Sequence, residues 1–266
     1  MTDEAGEVVL AEDLGHGYRR LALKAPAIAA AAAPGQFVHL RVPGLEASAL
    51  RRPFSIFDAA GDRLEIVYKV VGRGTEALAA AKAGAEIRVL GPLGRGFPVS
   101  VRGTALLVGG GYGSAPLHLL ARRLLAAGVA AERIEVFIGG RTAGDLVAAD
   151  RFPALGLRTF LATNDGGVGE KGFVTVPLDA EIARLQAAGA PFELFACGPD
   201  PMLRAVAGRA VAAQAPGWIS MDRHMVCGVG ACFACIQKIR MPNGDVFNAR
   251  CCVNGPVFAA ADIVWE

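Results

Sequence analysis

Cys227-Gly228-Val229-Gly230-Ala231-Cys232-Phe233-Ala234-Cys235 is the stretch on which the reading of this chain turns, and a Cys251-Cys252 pair completes it just before Gly255-Pro256-Val257-Phe258. Three cysteines separated by four and then two residues, with a distant fourth, have the plant-type spacing that holds a two-iron, two-sulfur cluster. The sulfides of such a cluster face backbone amides, so small residues must let the chain close in. Gly228, Gly230 and Ala231 leave that room, and glycine adopts backbone angles that a side chain would forbid. A zinc site of four cysteines normally uses two Cys-x2-Cys knuckles rather than one knuckle and a four-residue gap. Disulfides would require an oxidising compartment, to which nothing else in the chain points. Spacing from Cys235 does not decide between Cys251 and Cys252 as the fourth ligand.

The rest of the composition sets the frame for that motif. With 266 residues, 53% hydrophobic and 20% charged, the chain can bury one large core or two to three small ones. A formal net charge of +2 gives no reason to invoke nucleic acid or an anionic membrane surface. The N-terminus, Met1-Thr2-Asp3-Glu4, lacks the basic and apolar segments of a signal peptide, and no apolar run approaches the length of a membrane span. The expectation is a cytoplasmic protein without a membrane segment, in which clustered cysteines carry metal or redox chemistry. Five of the six cysteines lie in the last quarter, and Cys197 stands apart.

Outward from the cysteines, Ile236 to Met241 and Val246 to Asn248 read as a hairpin turning at Asn243-Gly244. Upstream, from about Gly103, apolar strands alternate with helical stretches: Ala105 to Val108 with Ala115 to Ala127, Ile134 to Ile138 with Leu146 to Asp150, Arg158 to Ala162 with Leu178 to Ala187, and Glu193 to Ala196 with Pro201 to Ala213. That alternation predicts a parallel sheet covered by helices, with its ligand beyond the carboxyl ends of the strands. Those ends carry Gly109 to Gly113, Gly139-Gly140-Arg141, Thr163-Asn164-Asp165-Gly166 and Cys197-Gly198-Pro199. Gly110, Gly111, Gly113, Arg141 and Asp165 are therefore the NAD-binding candidates. A 2'-phosphate usually demands clustered basic residues, and a single arginine near Asp145 argues for NAD over NADP.

Before the sheet, Glu7 to Leu10, Tyr18 to Lys24, Gln36 to Val42, Phe54 to Asp58, Leu64 to Val71 and Glu86 to Leu90 read as short strands, several of which alternate apolar and polar residues, the pattern of half-buried antiparallel strands closing into a small barrel. Gly72-Arg73-Gly74-Thr75 opens a short helix over Glu76 to Lys82, and a helix start is a seat for phosphate. The fold class is thus multi-domain: an antiparallel β-barrel over residues 1–100, an α/β parallel-sheet domain over 101–217 and a small C-terminal iron-sulfur domain over 218–266.

Arg51-Arg52-Pro53-Phe54-Ser55 alone could be a solvated basic corner. Val67-Tyr68-Lys69 and Gly72 to Thr75 lie at the interval needed to wall one pocket with it, and Arg52 could then neutralise a flavin phosphate. The loop Gly109 to Gly113 departs from the dinucleotide fingerprint and is a weak signal by itself. Cys197 stands at a strand end directly before a helix; an isolated thiol there is usually structural, yet it is also where a nicotinamide would meet a flavin. The four histidines, His16, His39, His118 and His224, form no close ligand pair and are read as structural or surface residues.

In order, Arg52-Pro53-Phe54-Ser55, Gly72-x-Gly74-Thr75, Gly109 to Gly113 and Cys197-Gly198-Pro199-x-x-Met202 resemble the ferredoxin-NADP reductase superfamily. Met225-Val226-Cys227-Gly228-Val229-Gly230-Ala231-Cys232 with Cys252-x-x-Gly255-Pro256-Val257-Phe258 resembles the electron-transfer subunits of NAD-dependent dihydroorotate dehydrogenase, and the likeness runs over nearly the full chain. The resemblance implies that FAD is bound by Arg52, Pro53, Phe54, Ser55, Val67, Tyr68, Lys69, Gly74 and Thr75. It implies a [2Fe-2S] cluster on Cys227, Cys232, Cys235 and Cys252, because the family's last cluster cysteine stands three residues before Gly-Pro-Val-Phe. Asn254 stands where an acidic residue is expected.

The same resemblance implies an oxidoreductase subunit of pyrimidine biosynthesis. In the family an FMN-containing catalytic subunit oxidises dihydroorotate, and electrons pass through the cluster to FAD and on to NAD, in a heterotetramer of two subunits of each kind. Nicotinamide exchanges a hydride, the cluster passes single electrons, and flavin converts between them. Cys197 is the catalytic candidate, as a positioning group beside the nicotinamide. A ferredoxin-linked or sulfhydrogenase-type reductase subunit would share these features with a different partner. A zinc-stabilised nucleotide-binding regulator would share the cysteines but hold no iron.

Overall fold

The structure, a computed structural model, describes residues 1–45 and 50–265. Six antiparallel strands, β1 (Thr2–Gly15), β2 (Tyr18–Lys24), β3 (Phe37–Arg41), β4 (Arg52–Ala60), β5 (Arg63–Lys69) and β6 (Glu86–Leu93), close into a barrel in the order β1-β2-β5-β4-β3-β6. Inward-facing residues fill the interior: Leu21, Val38, Leu40, Ile56, Ile66 and Val89 are buried in one core. Helix α1 (Pro26–Ala31) and helix α2 (Arg73–Ala79) sit between strands. In β3 the outward residues are buried as well: Phe37 belongs to the core of the following domain and His39 has no exposed surface. The barrel is therefore covered on that side.

The second layer is built from β7 (Thr104–Gly110), β8 (Ile134–Gly140), β9 (Arg158–Thr163), β10 (Glu170–Lys171), β11 (Phe192–Cys197), β12 (Gly217–Ser220) and, last in the chain, β15 (Val257–Ala259). They form a seven-stranded sheet ordered β10-β9-β8-β7-β11-β12-β15. Every pairing is parallel except β12 with β15. Helices α3 (Ala115–Ala126), α4 (Thr175–Ala187) and α5 (Asp200–Ala212) supply the crossovers. Apolar runs such as Ala105 to Val108 and Leu194 to Cys197 are wholly buried, as a sheet covered on both faces requires.

One expected helix is absent. Leu146 to Asp150 is not helical; three short 3-10 turns, Ala143–Asp145, Ala149–Arg151 and Pro153–Leu155, connect β8 to β9 instead. Ala148 adopts a left-handed conformation at φ 55°, as does Gly156 at φ 77°, and Pro153 lacks the amide that a continuing helix would need. The crossover is consequently a run of turns packed against the barrel.

The cysteine-bearing segment is an excursion from the sheet. The chain leaves β12 at Ser220, forms the hairpin β13 (Ile236–Arg240) and β14 (Val246–Arg250), and returns as β15, which pairs Val257 with Ser220. The arm is thus rooted at both ends beside the barrel–sheet junction, where the Arg95 N–H donates to the Gly255 carbonyl at 2.5 Å. Among the described residues no helix is long and apolar enough to cross a membrane.

Candidate functional site

Register brings the loops expected to bind nucleotide into one row. Cys197 pairs with Gly109, Gly109 with Ile138, Gly110 with Gly139 and Gly140 with Thr163, all at the carboxyl ends of parallel strands. The glycines there are required by close approach. A Cβ on Gly113 would lie 2.5 Å from the Cys197 carbonyl oxygen, and one on Gly110 would lie 2.8 Å from Met202 Sδ. The glycine loop and the Cys197-Gly198-Pro199-x-x-Met202 motif are therefore packing partners, a relation invisible in either motif alone.

A cleft of about 250 Å³ opens between barrel and sheet at this row. From the barrel it is lined by Pro53, Phe54, Ser55, Val67, Tyr68 and Lys69, with Thr75 at one end; from the sheet by Gly113 and Cys197. The structure thus brings nine of the residues singled out by sequence to one cavity. Phe54 and Tyr68 meet edge to face at 5.4 Å. Arg52 and Gly74 lie beside the cleft rather than in its wall: a Cβ on Gly74 would stand 2.8 Å from Arg52 Nε. The guanidinium therefore rests in a cradle that only glycine leaves free, and its NH1 donates to the Leu50 carbonyl at 2.8 Å. A cationic fork beside a flat, aromatic-lined cleft fits the phosphate and ring of FAD.

The remaining NAD candidates fall outside the cleft wall. Gly110 and Gly111 are at the end of β7 and the turn into α3. Arg141, with 79% of its side chain exposed, reaches Asp145 at 3.6 Å. Asp165 accepts the Gly167 amide at 3.0 Å, and its own amide donates to the Arg141 carbonyl. These two residues share the outer rim of the sheet.

Several contacts were not legible in the sequence. The Tyr18 hydroxyl donates to Asp145 at 3.0 Å, and Lys69 Nζ lies 3.4 Å from the same carboxylate, so the cleft lysine is tied to the loop after β8. Burial would raise the Asp145 carboxyl, but the donors Tyr18 and Lys69 outweigh it and hold the group below the usual range. The Tyr112 hydroxyl donates to Asp222 at 3.0 Å, joining the glycine loop to the base of the cysteine arm. Burial, then the Asp222 charge, holds that hydroxyl above its ordinary range. Cys197 is buried, and burial pushes its thiol up to about 12, so it is a neutral thiol at physiological pH and not an activated nucleophile.

Met221, Asp222, Arg223 and Met225 of the arm finish the cleft, and Cys227 stands two residues after Met225. Two residues span at most ~7 Å of extended chain, so the first cysteine of the arm begins beside the cavity. The four thiols act on one another. Cys227 interacts with Cys232, and burial alone would raise its thiol, but the amides of Val229, Cys232 and Ala231 outweigh this and bring it down to about 6. Cys252 interacts with Cys235 and receives the Gly230 amide, while burial, followed by the neighbouring Cys235, pushes it up to about 12. The Cys252 amide in turn faces Cys235 Sγ at 3.5 Å. Among the described residues no three Cys, His, Asp or Glu side chains close on a single-ion site. Four mutually interacting thiols with amides directed at sulfur suit a pair of bridged irons.

Cys251 is fully buried, and the charges that act on its thiol include Arg223 and Asp222 at the base of the arm. Asn254 Oδ1 accepts the Arg250 amide at 3.0 Å, a role that a carboxylate would fill equally. Phe233, exposed and at φ 56°, lies under the Arg250 guanidinium at 5.1 Å.

A family model described as the iron-sulfur cluster binding domain of dihydroorotate dehydrogenase B matches residues 222–264. A Bacillus cereus (strain Q1) protein named dihydroorotate dehydrogenase B (NAD(+)), electron transfer subunit, is 39% identical over 264 residues, covering 97% of this chain and 96% of its own. The chain belongs to that family of electron transfer subunits. A second member, from Bacillus cereus (strain G9842), is 40% identical over the same shares, and one from Bacillus mycoides (strain KBAB4) is 42% identical over 87% of this chain and 86% of its own. Among solved structures, an NADH-dependent reduced ferredoxin-NADP oxidoreductase superposes with a TM-score of 0.83 at 30% identity, covering 98% of this chain and 90% of that one. The ferredoxin reductase of carbazole 1,9a-dioxygenase shares the fold with a TM-score of 0.65 at 24% identity, over 81% of this chain and 67% of its own. The likeness to the first of these solved structures takes in barrel, sheet and cysteine arm alike.

Proposed function

We propose that this chain is an oxidoreductase subunit that carries electrons between the catalytic subunit of dihydroorotate dehydrogenase and NAD, using a [2Fe-2S] cluster and FAD. The observation that carries the reading is continuity: one cleft touches the nucleotide row of the sheet through Gly113 and Cys197 and the cysteine arm through Met225. When bound, FAD exchanges a hydride with nicotinamide and single electrons with the cluster. The residues of the chain arrange that exchange. Arg52 is the counter-charge for the FAD phosphates, and Pro53, Phe54, Ser55, Val67, Tyr68, Lys69, Gly74 and Thr75 form its bed. Gly110, Gly111 and Gly113 give the dinucleotide close access to the backbone, with Arg141 and Asp165 at the rim. Cys197, neutral and buried, is the positioning group against the nicotinamide. Cys227, Cys232, Cys235 and Cys252 supply the four thiolates.

The partner is read as an FMN-containing catalytic subunit in a heterotetramer of two of each chain. Supporting this, Cys232 is exposed, and Val229, Phe233 and Val253 around it are exposed apolar residues, the composition of a surface awaiting a partner. A cytoplasmic setting agrees with six free thiols. The domain limits are placed near residues 100 and 217. Anaerobic co-purification with the catalytic subunit tests the whole. About two irons and one FAD per chain, with NAD reduction dependent on dihydroorotate, is the expected result. A colourless chain containing zinc, or NADH oxidation indifferent to the partner, would refute it.

A further inference from the structure

His39 is unusual among the buried polar residues. Its ring has no exposed surface, and neither Nδ1 nor Nε2 finds a hydrogen-bond partner. Burial, then the Arg51 charge, lowers its pKa to about 4, so the imidazole is neutral and carries one N–H and one lone pair. A buried donor left without a partner is costly, and such groups in folded proteins are almost always satisfied. Something should therefore meet this ring in the working protein.

The position of the ring indicates what. His39 lies on the outward face of β3, between the flavin cleft and the cysteine loop. On the cleft side, Phe37 two residues earlier and the cross-strand partner Pro53 line the cavity, with the Phe37 and His39 rings 5.6 Å apart. On the other side, its Cε1–Nε2 edge meets the loop, where a Cβ on Gly228 would stand 2.8 Å from both atoms. Gly228 is also at φ +69°, so the loop needs glycine there both for its turn and for the histidine. Gly228 comes directly after Cys227, so the unpartnered edge opens onto the first turn of the loop that wraps the cluster.

We propose that His39 donates a hydrogen bond from Nε2 to a sulfur of the cluster, acting as a positioning residue that holds the Cys227–Cys232 loop against the flavin barrel and raises the cluster's reduction potential. This rests on the reading that the four cysteines hold a [2Fe-2S] cluster. The direction comes from charge: reduction makes the cluster more negative, a donor at sulfur stabilises that state, and hydrogen bonds to the sulfurs are among the levers that set such potentials.

The test uses the full chain co-purified with its partner and reads the cluster rather than turnover. In the reduced wild-type protein grown with ¹⁵N-histidine, pulsed electron paramagnetic resonance should detect an imidazole nitrogen coupled to the cluster. The coupling should vanish in His39→Phe and persist in His224→Asn, which removes the histidine three residues before Cys227. A redox titration of His39→Phe should show the reduction equilibrium shifted about tenfold toward the oxidised cluster, ~59 mV for one electron, and His39→Gln, which keeps a donor, should recover part of it. Absence of nitrogen coupling in the wild type, or a potential in His39→Phe within about twofold of wild type by the same conversion, would overturn the proposal. If His39→Phe fails to assemble, the labelled wild-type spectrum still decides. Wild-type protein without iron would instead sink the cluster reading itself, and the two failures are told apart by metal content.

Discussion

Replacing Gly113 with alanine is the sharpest probe of how the sheet presents nicotinamide to flavin. The added Cβ would lie 2.5 Å from the Cys197 carbonyl oxygen, 2.6 Å from Gly198 Cα and 2.7 Å from the Cys197 carbonyl carbon. All three are backbone atoms, so no side chain can swing aside. Ordinary contact begins at 3.4 Å, so the glycine loop and the end of β11 must part by roughly 0.9 Å to accept the methyl. Both elements wall the cleft, and a displacement near 1 Å between reacting groups costs on the order of 10²-fold in rate. Overpacking of this kind also costs about 1–3 kcal/mol of stability. Anaerobic stopped-flow reduction of the bound FAD by NADH is the assay, with iron and FAD content measured on the same sample. Gly128→Ala is the control: Gly128 is at φ +87° with nothing within 4 Å, so its alanine strains the backbone without touching the cleft. Hydride transfer in Gly113→Ala within twofold of wild type, with flavin retained, would refute the packing argument.

Cys252→Ser should abolish cluster iron while FAD remains, whereas Cys251→Ser should keep about two irons per chain; the reverse pattern in an iron assay would move the ligand by one residue. Arg52→Ala removes a charge-assisted hydrogen bond worth about 1.5–3 kcal/mol, so FAD retention measured by ultrafiltration should weaken by roughly 10–150-fold, and unchanged retention would remove Arg52 from the phosphate site. His118, on α3, stacks on Phe57 of the barrel at 4.4 Å, and burial, against the opposing pull of Asp58, holds its pKa below the ordinary 6.5. As pH falls the unfolded chain takes up that proton first, so folded-state stability contributed by the neutral ring is present above pH 6.5 and is lost below it. His118→Phe should accordingly show a smaller fall in melting midpoint than wild type between about pH 7.5 and about pH 5.5, and equal falls would exclude the histidine as the cause.

Much of this architecture is written locally. The strand expected over Glu86 to Leu90 appears within β6, whose residues are alternately more exposed and buried, because a half-buried strand needs only its own period of two. Ala115 to Ala127 anticipates α3 within one residue for the corresponding reason in helices. Leu146 to Asp150 fails because its apolar residues satisfy a helical count while Ala148 turns left-handed to fit the chain against the barrel, a tertiary demand that outweighs weak propensity.

The same division holds at the candidate site. Spacing among Cys227, Cys232 and Cys235 pointed to the two-iron cluster and the strand–helix alternation to the sequence of the layers, because ligand spacing and periodicity depend on a few neighbouring residues, while the resemblance carried by the flavin and glycine motifs pointed to FAD. Only the folded chain placed Cys252 against Cys235 and the Gly230 amide, bound Tyr112 to Asp222 across 110 positions and Tyr18 to Asp145 across 127, and set His39 against Gly228. Each of these depends on the barrel, sheet and arm meeting at one junction, and residues that distant in sequence acquire neighbours only when separate cores pack together.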